Sequence, residues 1–208
     1  MKTVFLVSDT HFGHRGVCEF QCADGVTKLR PWTDPHEMDE DMISRWNARV
    51  SPRDKVYHLG DVAISRRSLS TLSRLNGDKV LIKGNHDIYK LQDYAAHFRD
   101  IRAYHVLDGM IMSHVPVHES ALYRFGVNIH GHLHDRRVMK TVTVSRSAPV
   151  PFDPRSWDAQ EQVIDNRYHC VCVEQTDFAP IALEEVQARI RAEGGIIGFR
   201  NGNARQAD

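Results

Sequence analysis

The blocks Asp9-Thr10-His11, Gly60-Asp61, Gly84-Asn85-His86-Asp87, Ser113-His114 and His130-Gly131-His132-Leu133-His134 have the residue types and spacing to do chemistry. They offer carboxylate, amide and imidazole groups, the donors that divalent transition metals accept. The chain has 13 histidines, scattered rather than in a run, and several stand beside Gly, Asp or Asn, which points to a site assembled from loops. Asp9 and His11 are two apart, as are His132 and His134, so in extended chain each pair faces one side. Singly, a strand-end His is an ordinary hydrogen-bonded residue and an Asp at a turn is a cap. Two Asp, one Asn and four His recurring in order at the ends of apolar runs are poorly explained that way.

Such groups need a scaffold to converge. Residues 2–8, 55–59, 79–83 and 127–130 read as strands that run straight into polar blocks, which places those blocks at a sheet edge, where α/β folds bind ligands. Asp34-Pro35-His36-Glu37 starts a helix that runs to about Val50, with Met38, Met42, Ile43 and Trp46 on one face. Leu69, Leu72 and Leu75 mark a short helix, closed by the Asn76-Gly77-Asp78 turn. Residues 103–107 and 110–113 flank Asp108-Gly109, a hairpin signal. Residues 138–144 and 168–174 read as strands of a second sheet, with 145–162 an ordered surface loop between them. A short strand at 181–183 and a helix at 184–193 stopped by Gly194-Gly195 complete a domain over 1–193, with 194–208 a flexible tail.

Lys plus Arg and Asp plus Glu are 27 each in 208 residues, so the net charge is zero. That balance excludes binding to nucleic acid or membranes through bulk positive charge. No apolar run approaches the roughly 20 residues of a membrane helix, and the apolar start turns acidic at Asp9. Cys18, Cys22, Cys170 and Cys172 are too sparse for a disulfide scaffold and fit a reducing, cytoplasmic setting. Glycine-rich phosphate cradles of the GxGxxG or GxxxxGK[ST] type are absent.

The ordered set Asp-x-His, Gly-Asp, Gly-Asn-His-Asp, His, Gly-His-x-His resembles the calcineurin-like metallophosphoesterase superfamily, over Met1 to about His134. The phrasing Ser8-Asp9-Thr10-His11-Phe12-Gly13-His14 and Val56-Tyr57-His58-Leu59-Gly60-Asp61 is similar to a small bacterial and phage subgroup of single-domain members. The resemblance implies an α/β fold, a four-layer α/β/β/α sandwich of two mixed sheets, with a dinuclear metal site at the strand-end edge. It gives Asp9, His11 and His134 to one divalent ion and Asn85, His114 and His132 to the other, with Asp61 bridging and His86 catalytic without binding metal. Manganese is the preferred ion, and Fe, Zn, Co or Ni suit the same mixed donors. The implied reaction is attack on phosphorus by a hydroxide readied between the ions, with His86 assisting the leaving group.

Protein Ser/Thr phosphatases of that superfamily continue Gly-Asp with Asp-Arg-Gly, whereas this chain continues Val62-Ala63-Ile64. A small phosphodiester of the nucleotide or cyclic nucleotide type is therefore the expected substrate. Phosphomonoester hydrolysis, nuclease action and a catalytically silent scaffold are the rivals, and neither a membrane nor a stable nucleic-acid partner is expected. Candidate substrate-binding residues are His14, Arg15, Arg66, His118, Tyr123 and Arg124, in loops beside the polar blocks. Arg30 and Trp32, in the long connection before the first helix, and Arg67 are further candidates of the same kind.

Overall fold

The apolar runs that close on polar blocks form strands in the computed structural model, which describes residues 2–144 and 159–198. β1 (Val4–Val7), β2 (Lys55–His58), β3 (Asp78–Ile82) and β4 (Asp100–Arg102) are parallel. β5 (His105–Leu107) and β6 (Met110–Ser113) form the expected hairpin, with Asp108 and Gly109 at φ 52° and 77°, the left-handed pair a tight hairpin turn needs. β7 (Asn128–His130) lies parallel to β6, β8 (Met139–Val144) pairs with β9 (Ala159–Ile164), and β10 (Tyr168–Cys170) lies parallel to β7. β11 (Ile181–Ala182) runs antiparallel beside β1. The two larger sheets are thus mixed, ordered β11-β1-β2-β3-β4 and β10-β7-β6-β5.

Strand alternation sorts the side chains into two cores. Phe5 and Val7 point to one side of the first sheet, where Met38, Met42 and Trp46 of α1 (Pro35–Arg49) cover them. Leu6 points the other way, into a core shared with Met110, Met112 and Ile129 of the second sheet. α1 starts where expected because the Asp34 carboxylate accepts from His36 N and Glu37 N, a cap worth about 1 kcal/mol. A short helix α2 (Leu91–Ala95) follows β3, and α3 (Leu183–Ala192) adds Leu183, Val186 and Ile190 to the shared core. The outer face of the second sheet carries Ile111 and Tyr168, packed on Leu122 of the 3-10 turn Glu119–Tyr123.

Some elements differ from expectation. The helix marked by Leu69 and Leu72 is the 3-10 helix Arg67–Arg74; leucines spaced by three line up on a three-residue turn. β8 does not join the second sheet. Its residues are alternately exposed and half-buried, so it has no fully apolar face to bury, and it forms a two-stranded ribbon with β9. β9 occupies the end of the stretch expected to be loop; 145–158 lie outside the described residues. The strand expected over 168–174 stops at Cys170, and Val173–Gln175 is a 3-10 turn. Past α3, Gly194 turns at φ 76° and Ile197 packs on the shared core, while 199–208 lie outside the described residues. No helix among the described residues is long and apolar enough to cross a membrane.

Candidate metal centre

Because β1, β2 and β3 are parallel, Asp9, Asp61 and Asn85 emerge at one edge of the first sheet. β6 and β7 deliver His114 and His132 at the corresponding edge of the second. The two edges are joined across the seam: His132 N donates to Asp9 Oδ2 at 2.8 Å, and His114 Nδ1 donates to the Leu59 carbonyl at 2.7 Å. The approach is close enough that a Cβ on Gly131 would sit 2.0 Å from Ser8 Oγ and 2.4 Å from Asp9 Oδ2. Asp9, His11, Asp61, His132 and His134 all have positive φ, between 49° and 69°. Left-handed backbone costs a non-glycine residue about 1 kcal/mol, and such outliers gather where function fixes the geometry.

Two clusters result, Asp9 with His11 and His134, and Asp61 with His114 and His132, the donor atoms in each lying within 4.8 Å of one another. Ser8 Oγ at 2.6 Å, His132 N at 2.8 Å and Cys172 Sγ at 3.1 Å all donate to Asp9 Oδ2, which leaves Oδ1 aimed inward. Oδ1 lies 3.6 Å from His11 Nε2 and 3.9 Å from His134 Nε2. These separations are too long for hydrogen bonds. They are right for ligands of one ion, which stand at most about 4.2 Å apart. Asp9 Oδ1 and both ring nitrogens of His11 are buried without hydrogen-bond partners among the described residues. In the second cluster His114 Nε2 faces two acceptors, Asn85 Oδ1 at 2.8 Å and Asp61 Oδ2 at 3.3 Å, so a proton or a cation must stand among them. Asp61 Oδ2 is also 3.8 Å from His11 Nε2, which sets this carboxylate between the clusters.

The charges agree. Burial pushes Asp9 up, but the neighbouring imidazoles of His11, His114 and His134 outweigh it and hold the carboxyl well below its usual range. Burial pushes His114 and His134 down, yet Asp61 and Glu174 respectively more than reverse that. The pocket thus draws positive charge, and its donor set of carboxylates, imidazoles and an amide fits two divalent cations.

A buried network behind the clusters fixes these side chains. Glu174 Oε1 accepts from His134 Nδ1 at 3.0 Å, and from Arg30 Nε at 2.8 Å and Nη2 at 2.7 Å. Arg30, fully buried, also donates to the Thr10 and Asp9 carbonyls. Its place is therefore behind the site, which corrects its reading as a substrate-facing side chain. Asp87 takes Asp61 N and Gly84 N on Oδ2 and Val62 N on Oδ1, stapling the loops that carry Asp61 and Asn85. His58 Nδ1 accepts from Gly60 N at 3.2 Å, and its Nε2–H meets Thr10 Oγ1 at 3.0 Å, whose hydroxyl donates to Val62 O. This tautomer is neutral, and burial presses the ring's pKa down to about 3.

His86 sits at the mouth. Its N–H donates to Asp61 Oδ1 at 2.8 Å, and its exposed ring meets that of His11 edge-on at 5.6 Å. His14 lies 5.6 Å from His11, ring to ring. Of the other substrate candidates, Arg15 pairs with Glu19, Arg66 with Asp93, His118 caps the turn Glu119–Tyr123, and Tyr123 and Arg124 are exposed. Sequence reasoning missed Glu174; its only local signal is an acid closing the apolar run Cys170-Val171-Cys172-Val173.

No family model matches the chain. The uncharacterized protein MJ1445 of Methanocaldococcus jannaschii is 35% identical over 138 residues, covering 64% of this chain and 70% of that protein. Gene 66 protein of Mycobacterium phage D29 is 29% identical over 189 residues, covering 74% of this chain and 89% of that protein. Among solved structures, the protein of unknown function AQ665 from Aquifex aeolicus has a TM-score of 0.58 at 21% identity, covering 91% of this chain and 100% of that one, a likeness of fold.

Proposed function

The chain belongs to the family of the uncharacterized protein MJ1445 of Methanocaldococcus jannaschii, and we propose that it is a phosphoesterase with two divalent metal ions, acting on small phosphodiesters of the nucleotide or cyclic nucleotide type. The observation that carries the reading is Asp9 Oδ1 and His11 Nε2, 3.6 Å apart, both buried and both without a hydrogen-bond partner among the described residues. Asp9, His11 and His134 would hold one ion; Asn85, His114 and His132 the other; Asp61 lies between them. Manganese is the preferred ion. Two ions so held would supply a water of near-neutral pKa and charge compensation for phosphoryl oxygens.

The chain's own groups do the rest. Asp61 Oδ1 pins the backbone of His86, so that its imidazole stands at the open mouth and can give a proton to the departing alkoxide. Glu174 and Leu59 O turn the free Nε2 of His134 and His114 inward. The fold reading that accompanies this is the four-layer α/β/β/α sandwich, its outermost layer reduced to the turn over Ile111 and Tyr168. Four free thiols suit a cytoplasmic setting.

The test is a panel on the metal-loaded protein with Mn, Ni, Zn and Mg, comparing an aryl monoester, an aryl diester, cyclic nucleotides and short oligonucleotides. Two ions bound per chain and fastest turnover of small diesters is the expected result. Uptake of no metal, or hydrolysis of none of these esters, overturns the reading.

A further inference from the structure

We propose that the groove beside the first cluster seats a nucleobase, the part of the substrate farthest from the phosphorus; this rests on the phosphoesterase reading above. The segment between Phe12 and α1 folds back on itself as a small hairpin, with Gln21 bridged to Lys28, Leu29 N donating to Phe20 O, and Cys22 N to Thr27 O. Arg30 holds its root against the Asp9 and Thr10 carbonyls, and Ala23 N ties its tip to Asp135 Oδ2 at 3.0 Å. Between this hairpin and the chain from His132 to Arg136 lies a cavity of about 470 Å³. That is within the range of small-molecule sites, roughly 300–1,000 Å³.

The lining specifies the ligand. Phe20, Leu29 and Leu133 are apolar, and Phe20 is 50% exposed, a large ring face left to solvent. Gln21, Asp135 and Arg136 bring an amide, a carboxylate and a guanidinium to the same cavity. A flat ring with donors and acceptors around its edge meets both kinds of wall at once. An alkyl chain would leave the polar groups unmatched. The groove also opens on the reacting centre. His132 and His134 line it, and Phe20 meets His14 at 5.8 Å, which in turn meets His11 at 5.6 Å.

The experiment compares two diesters with the same leaving group, thymidine 5′-(4-nitrophenyl phosphate) and methyl 4-nitrophenyl phosphate, on wild type, Phe20→Ala and Phe20→Trp, each loaded with manganese. Phe20→Ala should raise KM for the thymidine diester on the order of 10-fold with kcat nearly unchanged. It should leave the methyl diester alone, and Phe20→Trp should restore the wild-type KM. Equal effects on both diesters overturn the proposal. Calorimetric titration with thymidine 5′-phosphate and methyl phosphate keeps the test independent of turnover. Tighter binding of the nucleotide, lost in Phe20→Ala, supports the groove even if neither diester is hydrolysed, an outcome that sinks the phosphoesterase reading alone. Equal affinity for the two phosphates overturns the groove.

Discussion

Replacing Glu174 by Gln separates the two clusters. One oxygen of Glu174 receives His134 Nδ1 and two Arg30 nitrogens, and its side chain is only 3% exposed. Gln keeps the shape and can keep an oxygen toward His134 and Arg30, but it removes the charge and sets an amide nitrogen at the Oε2 position, which has no partner among the described residues. Loss of such a partner behind a ligand typically weakens metal binding 10- to 100-fold, or about 1.4 to 2.7 kcal/mol. The loss should fall on the cluster of Asp9, His11 and His134, since His114 is oriented by a backbone carbonyl instead. Removing one partner of a buried ion pair costs about 3–5 kcal/mol. The Thr10 and Asp9 carbonyls still accept from Arg30, so about 3 kcal/mol is expected, near the bottom of that range. A chain of this length should then melt roughly 6–12 °C lower but stay folded. Calorimetric manganese titration with a parallel melt reads both quantities. Equal weakening of both ions, or a lower melt with unchanged metal affinity, would refute the orienting role.

Other outcomes follow from the same geometry. His86→Ala should keep two ions per chain by elemental analysis and lose about 10²- to 10⁴-fold in kcat; unchanged turnover removes this imidazole from the reaction. Asp61→Ala, by contrast, should lower occupancy of both clusters, because Oδ2 faces His11 and His114 alike. His58 is neutral in the fold with a pKa near 3, against an ordinary value of 6.5. The unfolded chain therefore takes up a proton that the fold refuses, and His58 contributes stability that is full above pH 6.5 and lost as pH falls toward 3. Over that window His58→Gln should flatten the acid decline by about 1.4 kcal/mol per pH unit, measured by denaturant melts; an unaltered slope would contradict this.

The candidate site's ingredients were readable because each candidate ligand follows an apolar strand, and strand order needed only β1, β2 and β3 to be parallel. What escaped was non-local. Glu174 stands 40 residues from His134, in a turn with no periodic pattern to announce it. Arg30 looked like a side chain awaiting a phosphate, because nothing local tells an arginine that binds backbone carbonyls from one facing solvent. The alternation in 139–144 was enough to indicate a strand, but its partner is decided by which faces remain to be buried. Gly60 announces a left-handed turn; the same conformation at Asp9, His11, His132 and His134 has only a weak signature, since Asp and His enter it more often than most residues but still rarely.

Each cluster draws donors from both sheets: Asp9 and His11 with His134, Asp61 with His114 and His132. A cation in either place is therefore a rivet through the seam between two halves of the molecule. The docked state would gain stability with the logarithm of free metal concentration, so the cell's metal supply would set how firmly the halves are fastened.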